Sequence, residues 1–119
     1  MGRGSRAAVH RRGALVRRGE IWWVDDPAVG RRPHLVLTRE AAVPVLNQLI
    51  AVPATRTMRV LPTEVELGSE DGMPGVCVLS LDNATLIPKV YFQERICALG
   101  PDQMARVCRA LAIATGCAA

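Results

Sequence analysis

Apolar residues in this chain fall in short runs separated by clusters of Gly, Pro, Asp and Arg, the pattern of many short strands joined by turns. Residues 20–24 predict a first strand, closed by Asp25-Asp26-Pro27 and a loop through Gly30. Residues 34–38 are almost continuously apolar, as in a buried strand. Residues 39–46 allow a short helical turn that Pro44 keeps from growing. A third strand is predicted over 48–53, followed by a polar loop at 54–61 that carries Arg56 and Arg59. Over 62–67, Glu64 and Glu66 alternate with Thr63, Val65 and Leu67, so that strand is half exposed. Residues 68–75 form an acidic, turn-rich loop. The segment 75–81 is strongly β in character, and 82–87 extends it past a bulge or bend. A last short strand is predicted at 95–99. One helix then follows Gly100-Pro101, with Met104, Val107, Cys108, Leu111, Ala112 and Thr115 on one stripe and Gly116 at its C-terminal cap. Short strands at regular spacing and one terminal helix predict a mainly β fold with a C-terminal helix: a small, strongly bent barrel closed by that helix.

Composition adds limits to this picture. The chain has 119 residues, enough for one core, and with only 3% aromatic residues that core must be built from Val, Leu, Ile and Ala. No apolar run is long enough to predict a membrane span, and the N-terminus lacks the apolar stretch of a secretory signal. Cys77, Cys97, Cys108 and Cys117 have no zinc-type spacing and are expected to be reduced cytosolic thiols, three of them packed as small apolar groups. No metal or cofactor is expected.

The net charge of +4 changes meaning once it is located. Six arginines and no acid lie within residues 1–18, whereas the remainder holds nine basic and eleven acidic side chains. The expected organisation is therefore a flexible arginine-rich tail over 1–17, weakly attractive to RNA or a mere extension, and a slightly acidic domain over 18–119.

Two positions carry chemistry. Arg32 stands before Pro33 at the mouth of the second strand, and the third strand runs through Val52-Pro53-Ala54 to Thr55. If these strands pair, a permanent positive charge and a hydroxyl converge at one sheet edge, which suits a phosphodiester. Taken singly, an arginine at a strand start is a solvated end residue and a threonine closing a strand is a turn hydroxyl. Arg31 is a second basic neighbour. Trp22 and Trp23 must point to opposite faces, one into the core and the other free to stack on a base or meet a partner. Arg56 and Arg59 are candidate phosphate contacts or plain loop residues. Ser80, Asp82 and Asn83 could read base edges or stabilise a turn. His34 is expected on the face opposite Arg32, as a buried or dimer residue.

Strung together, Arg18-Gly19-Glu20-Ile21-Trp22-Trp23-Val24-Asp25, Arg32-Pro33, Val52-Pro53-Ala54-Thr55 and Leu61-Pro62-Thr63-Glu64-Val65 resemble the MazF/PemK family of toxin endoribonucleases. With the closing strand and helix, the resemblance spans residues 17 to about 117. It implies an SH3-like small barrel of the plasmid-toxin CcdB/PemK type, a homodimer, and metal-independent cleavage of single-stranded RNA at short sequences. It further implies a MazE-like antitoxin that lays an extended segment over the RNA groove. By the same resemblance, Arg32 and Thr55 are the catalytic residues, with Arg31, Trp23, Arg56, Arg59, Ser80, Asp82 and Asn83 as RNA-binding candidates. The loop at 26–31 is shorter than the family pattern and lacks its Gly-Ser-Glu run, so base specificity does not carry over. Two other classes share such a fold: a CcdB-like toxin that binds DNA gyrase without catalysis, and an inactive nucleic-acid-binding module. The presence of both Arg32 and Thr55 favours the nuclease.

Overall fold

The computed structural model describes residues 15–117; the segment 1–14, which holds most of the arginine-rich tail, lies outside the described residues. Among the described residues, seven strands and one α-helix follow in chain order: β1 (Glu20–Asp26), β2 (Gly30–Val36), β3 (Gln48–Thr55), β4 (Glu64–Leu67), β5 (Cys77–Ser80), β6 (Thr85–Pro88), β7 (Phe92–Ala98) and α1 (Pro101–Thr115). All strand pairs are antiparallel, in the order β4-β5-β3-β2-β1-β7, with β6 also on β3. The mainly β fold with a closing helix is as the sequence predicts.

The β1–β2 hairpin is longer than the apolar pattern suggests. β2 begins at Gly30, because Asp25 and Asp26 pair with Arg31 and Gly30 although none of the four is apolar. Asp26 Oδ1 accepts the Ala28 N–H at 2.8 Å, an Asx turn that fixes the reversal. Gly30 follows at φ +91°, where a side chain would be strained. Residues 39–46 make successive hydrogen-bonded turns and no α-helix. The Lys89 ammonium donates to the Val43 carbonyl at 2.6 Å and ties this loop to the sheet.

Side-chain alternation divides the interior in two. Ile21, Leu35, Val52, Ala54 and Leu79 face α1 and pack with Leu67, Leu81 and Val107. Their strand neighbours Trp22, Val24, Val36, Leu49 and Ala51 face the other way and pack with Ile87 and Phe92. Trp22 meets Phe92 edge-on, with ring centroids 6.4 Å apart. The chain enters this second core through Val16, which is fully buried, and Glu40 accepts both the Arg18 N–H at 2.9 Å and Arg17 Nε at 2.7 Å.

Two expectations are corrected. The helix buries Val107 and Ala110, with Met104, Leu111 and Ala114 packed beside them, while Cys108 is exposed. The seam is rotated from the predicted stripe toward Ala110 and Ala114; Cys108, Ala110, Ala112 and Ala114 are all small, so the apolar pattern alone does not fix which of them meets the sheet. Of the four cysteines expected to be mostly packed, only Cys77 is buried; Cys97 is half-buried, and Cys108 and Cys117 are exposed.

Glycine substitution separates strain from packing here. Gly30 and Gly72 both have positive φ, but a Cβ on Gly30 meets open space whereas one on Gly72 meets Cys97 Cβ at 2.7 Å. Gly30→Ala should cost about 1 kcal/mol in urea unfolding, from backbone strain alone. Gly72→Ala should cost at least about 2 kcal/mol, because overpacking adds to the same strain.

Candidate functional site

The site is set by where β2 and β3 stop pairing. Their ladder runs Val36↔Ala51, Leu35↔Val52, His34↔Pro53 and ends there. Pro33 has no N–H to offer, and it lies where β2 retains only β1 as neighbour, opposite Trp23. Continued two residues past its end, the register sets Arg32 opposite Thr55. Opposed residues of an antiparallel pair share a face, so the guanidinium and the hydroxyl emerge on the same side of the opening strands. Arg32 is exposed, and its guanidinium has no hydrogen-bond or ion-pair partner among the described residues. Thr55 is half-buried, paired with Val78 of β5, and its Oγ1 accepts the Thr57 N–H at 3.2 Å. That leaves its hydroxyl hydrogen free to donate outward.

Thr55 also borders a groove of about 240 Å³ lined by Trp23, Pro33, Arg56 and the segment from Met73 to Cys77; Arg32, next to Pro33 on β2, projects from the opposite face of the strand and does not line it. Its wall is mostly apolar, with Arg56 the one charged lining residue. Burial raises the Cys77 thiol above its ordinary pKa, with Asp71 adding to the shift and Arg56 opposing it, so the groove holds a neutral thiol at neutral pH. Among the described residues no three His, Cys, Asp or Glu side chains gather as a metal-binding group. The 73–77 wall has no sequence signal beyond turn composition and an apolar strand start.

The other predicted residues divide by position. Arg31 lies on the Trp23 face of the hairpin, its guanidinium carbon 4.9 Å from the ring centroid, and its Nη2 reaches Glu94 at 3.4 Å. Trp23 thus carries a cation on its ring while it lines the groove. Arg56 and Arg59 are both exposed on the loop after Thr55. Ser80, Asp82 and Asn83 do not line the groove. They sit at the far end of β5, where Asn83 Nδ2 donates to Ser80 Oγ at 2.9 Å and Thr63 Oγ1 donates to Asp82 at 2.6 Å.

His34 is buried, as expected, but it shares Arg32's face, since two residues along a strand return a side chain to the same side. Its Nδ1 lies 3.2 Å from the Arg32 carbonyl oxygen. Burial lowers its pKa, and the nearby Arg32 charge lowers it further, while the Arg32 carbonyl and Asp26 oppose the shift. The folded state therefore resists a proton that the unfolded chain accepts below about pH 6.5. Stability contributed by neutral His34 is present above that pH and is lost as pH falls through the unfolded value toward the folded one. In urea titrations, the stability difference between wild type and His34→Gln should shrink between pH 7.5 and 5.5; an unchanged difference would refute a depressed pKa.

The profile of PemK-like, MazF-like toxins of type II toxin–antitoxin systems matches residues 17–115. The chain is 39% identical over 103 residues to a protein named probable endoribonuclease MazF2 of Mycobacterium tuberculosis, covering 86% of this chain and 100% of that one. It is 36% identical to probable endoribonuclease MazF5 of the same organism, covering 87% and 96%. Among solved structures, an endoribonuclease in complex with its cognate antitoxin from a mycobacterial species superimposes with TM-score 0.80 at 27% identity, covering 88% and 99%. The Mycobacterium tuberculosis toxin MazF-mt6 gives TM-score 0.77 at 30% identity, covering 84% and 99%. On a match that takes in β1 through α1, the chain belongs to the PemK-like, MazF-like toxin family of type II toxin–antitoxin systems.

Proposed function

We propose that this toxin is a metal-independent endoribonuclease that cleaves single-stranded RNA at short sequences. The observation that carries the reading is the register that sets unpartnered Arg32 opposite Thr55 where β2 and β3 part. RNA brings its own nucleophile. The 2′-oxygen bonds to the adjacent phosphorus as the bond to the 5′-oxygen breaks, leaving a 2′,3′-cyclic phosphate and a 5′-hydroxyl. One proton leaves the 2′-hydroxyl and one reaches the 5′-oxygen. The protein's share is to align the attack and to neutralise the charge on phosphorane oxygens. Arg32 can give two parallel hydrogen bonds to nonbridging oxygens, and Thr55 a third through its hydroxyl. A guanidinium with a pKa above about 12 is a poor proton carrier at neutral pH, so electrostatic stabilisation is the role assigned to Arg32.

The groove bordered by Thr55 takes a flanking base, with Trp23 as an apolar wall and Arg56 against a phosphate. Arg59 is a second phosphate contact on the same loop, and Arg31 holds Trp23 in place. Ser80, Asp82 and Asn83 support this reading less, because their side chains bond one another or Thr63 away from the groove. A homodimer, and neutralisation by an antitoxin segment laid over the groove, follow by likeness to neighbours solved as MazE–MazF complexes, one of them from Deinococcus radiodurans at 27% identity. No helix among the described residues is long and apolar enough to cross a membrane, and we place the toxin in the cytoplasm with its RNA substrate.

The test is incubation of the purified protein with a long RNA in EDTA, followed by mapping of fragment ends. Discrete cuts with 5′-hydroxyl ends are expected. Arg32→Ala and Thr55→Ala should each lower the rate on the order of 100- to 1000-fold, as loss of an oxyanion-type donor does. Arg32→Lys should not restore the rate, since an ammonium cannot reproduce the bidentate fork. Intact RNA, or cleavage that requires Mg²⁺, would overturn the proposal.

A further inference from the structure

The loop leaving Thr55 contains a strained residue with no packing to explain it. Val60 has φ +55°, a left-handed conformation that a β-branched residue adopts only when its surroundings impose it. Its own side chain is 91% exposed, so the constraint comes from the backbone on either side. The Arg59 N–H donates to both carboxylate oxygens of Glu64, at 3.1 and 3.3 Å, and the Leu61 N–H donates to one of them at 3.3 Å. The two N–H groups flanking Val60 thus converge on one carboxylate, a backbone nest filled by the chain's own acid. Glu64 is itself fixed at the start of β4, paired with Ser80. At the loop's other end the Thr57 N–H is held by Thr55 Oγ1. Arg56 sits inside the first of these anchors and Arg59 supplies an N–H of the second.

We infer that Glu64 is a positioning residue for RNA binding: its carboxylate clamps the loop over 56–61 so that Arg56 and Arg59 face the substrate. The inference rests on the endoribonuclease reading above. Without the carboxylate, Val60 escapes to an unstrained conformation and redirects the chain around it, and the two guanidiniums lose their orientation. Thr55 stays in place because β3 holds it against Val78. Loss of Glu64 should therefore weaken substrate binding and spare the chemical step, which separates it from a donor to the phosphate.

The test measures kcat and KM on an RNA oligonucleotide carrying one mapped cleavage site, together with amide exchange at Arg59 and Leu61. Glu64→Ala should raise KM about tenfold with little change in kcat, and should speed exchange at both amides. Glu64→Gln keeps an acceptor oxygen and should fall between. Val60→Gly alone should leave KM unchanged. Added to Glu64→Ala it should recover part of the lost affinity, since glycine visits the left-handed region without strain although no carboxylate then holds it there. A thermal melt confirms that each variant is folded. Unchanged KM in Glu64→Ala despite faster exchange at Arg59 and Leu61, a fall in kcat alone, or no recovery in the double variant would each overturn the inference. If wild type leaves the RNA intact, the endoribonuclease reading fails first, and this inference falls with it.

Discussion

Everything at the candidate site depends on how β3 shares its edges. Its first half pairs with β6 (Gln48↔Pro88 to Ala51↔Thr85) and its last two residues pair with β5 (Ala54↔Leu79, Thr55↔Val78). Val52 and Pro53 fall between the two ladders, so the missing N–H of Pro53 breaks neither. This switch of partner bends the sheet into a barrel and carries the end of β3 away from the strands around β6. The other edge of β3 stays on β2 only as far as His34. Beyond that point the strands open, and Arg32 and Thr55 stand on the two lips.

The charge distribution gives this opening its importance. The domain after residue 18 has more acidic than basic side chains, so it lacks the broad positive surface by which many proteins hold nucleic acid. Several of its cations are already engaged: Arg95 with Glu20, Arg31 with Glu94 and the Trp23 ring, and Lys89 with the Val43 carbonyl. Arg32 is not, and it stands where the sheet edge exposes it. An unpaired guanidinium in such a setting keeps its full hydrogen-bonding capacity for an incoming phosphate. The clamp formed by Glu64 belongs to the same economy of charge, with one acid ordering a loop so that two arginines act locally.

How much of this was legible in the sequence varies with the distance over which each feature is determined. Arg32-Pro33 and the Thr55 terminus were visible because a charge before a proline and a hydroxyl after an apolar run are local patterns. The early start of β2 was not, since Gly30 and Arg31 are strand residues only through their pairing with Asp26 and Asp25. The fork of β3 has no local signature; it follows from which strands return to it. The helix seam has no local signature, because Cys108, Ala110, Ala112 and Ala114 are all small and only the opposing sheet selects among them. His34 shares Arg32's face, contrary to expectation, because residues two apart on a strand return to the same side. The 73–77 groove wall and the Glu64 carboxylate bonds arise from loop geometry, which composition does not encode.

The central claim is that Arg32 and Thr55 act on one phosphate as a unit, and a double-mutant cycle addresses it most directly. Cleavage rates in EDTA are compared for wild type, Arg32→Ala, Thr55→Ala and the double variant. Two donors to the same transition state should be strongly non-additive, with the double variant close to the slower single one. Single variants that cleave at the wild-type rate, or losses that simply multiply in the double variant, would contradict the account.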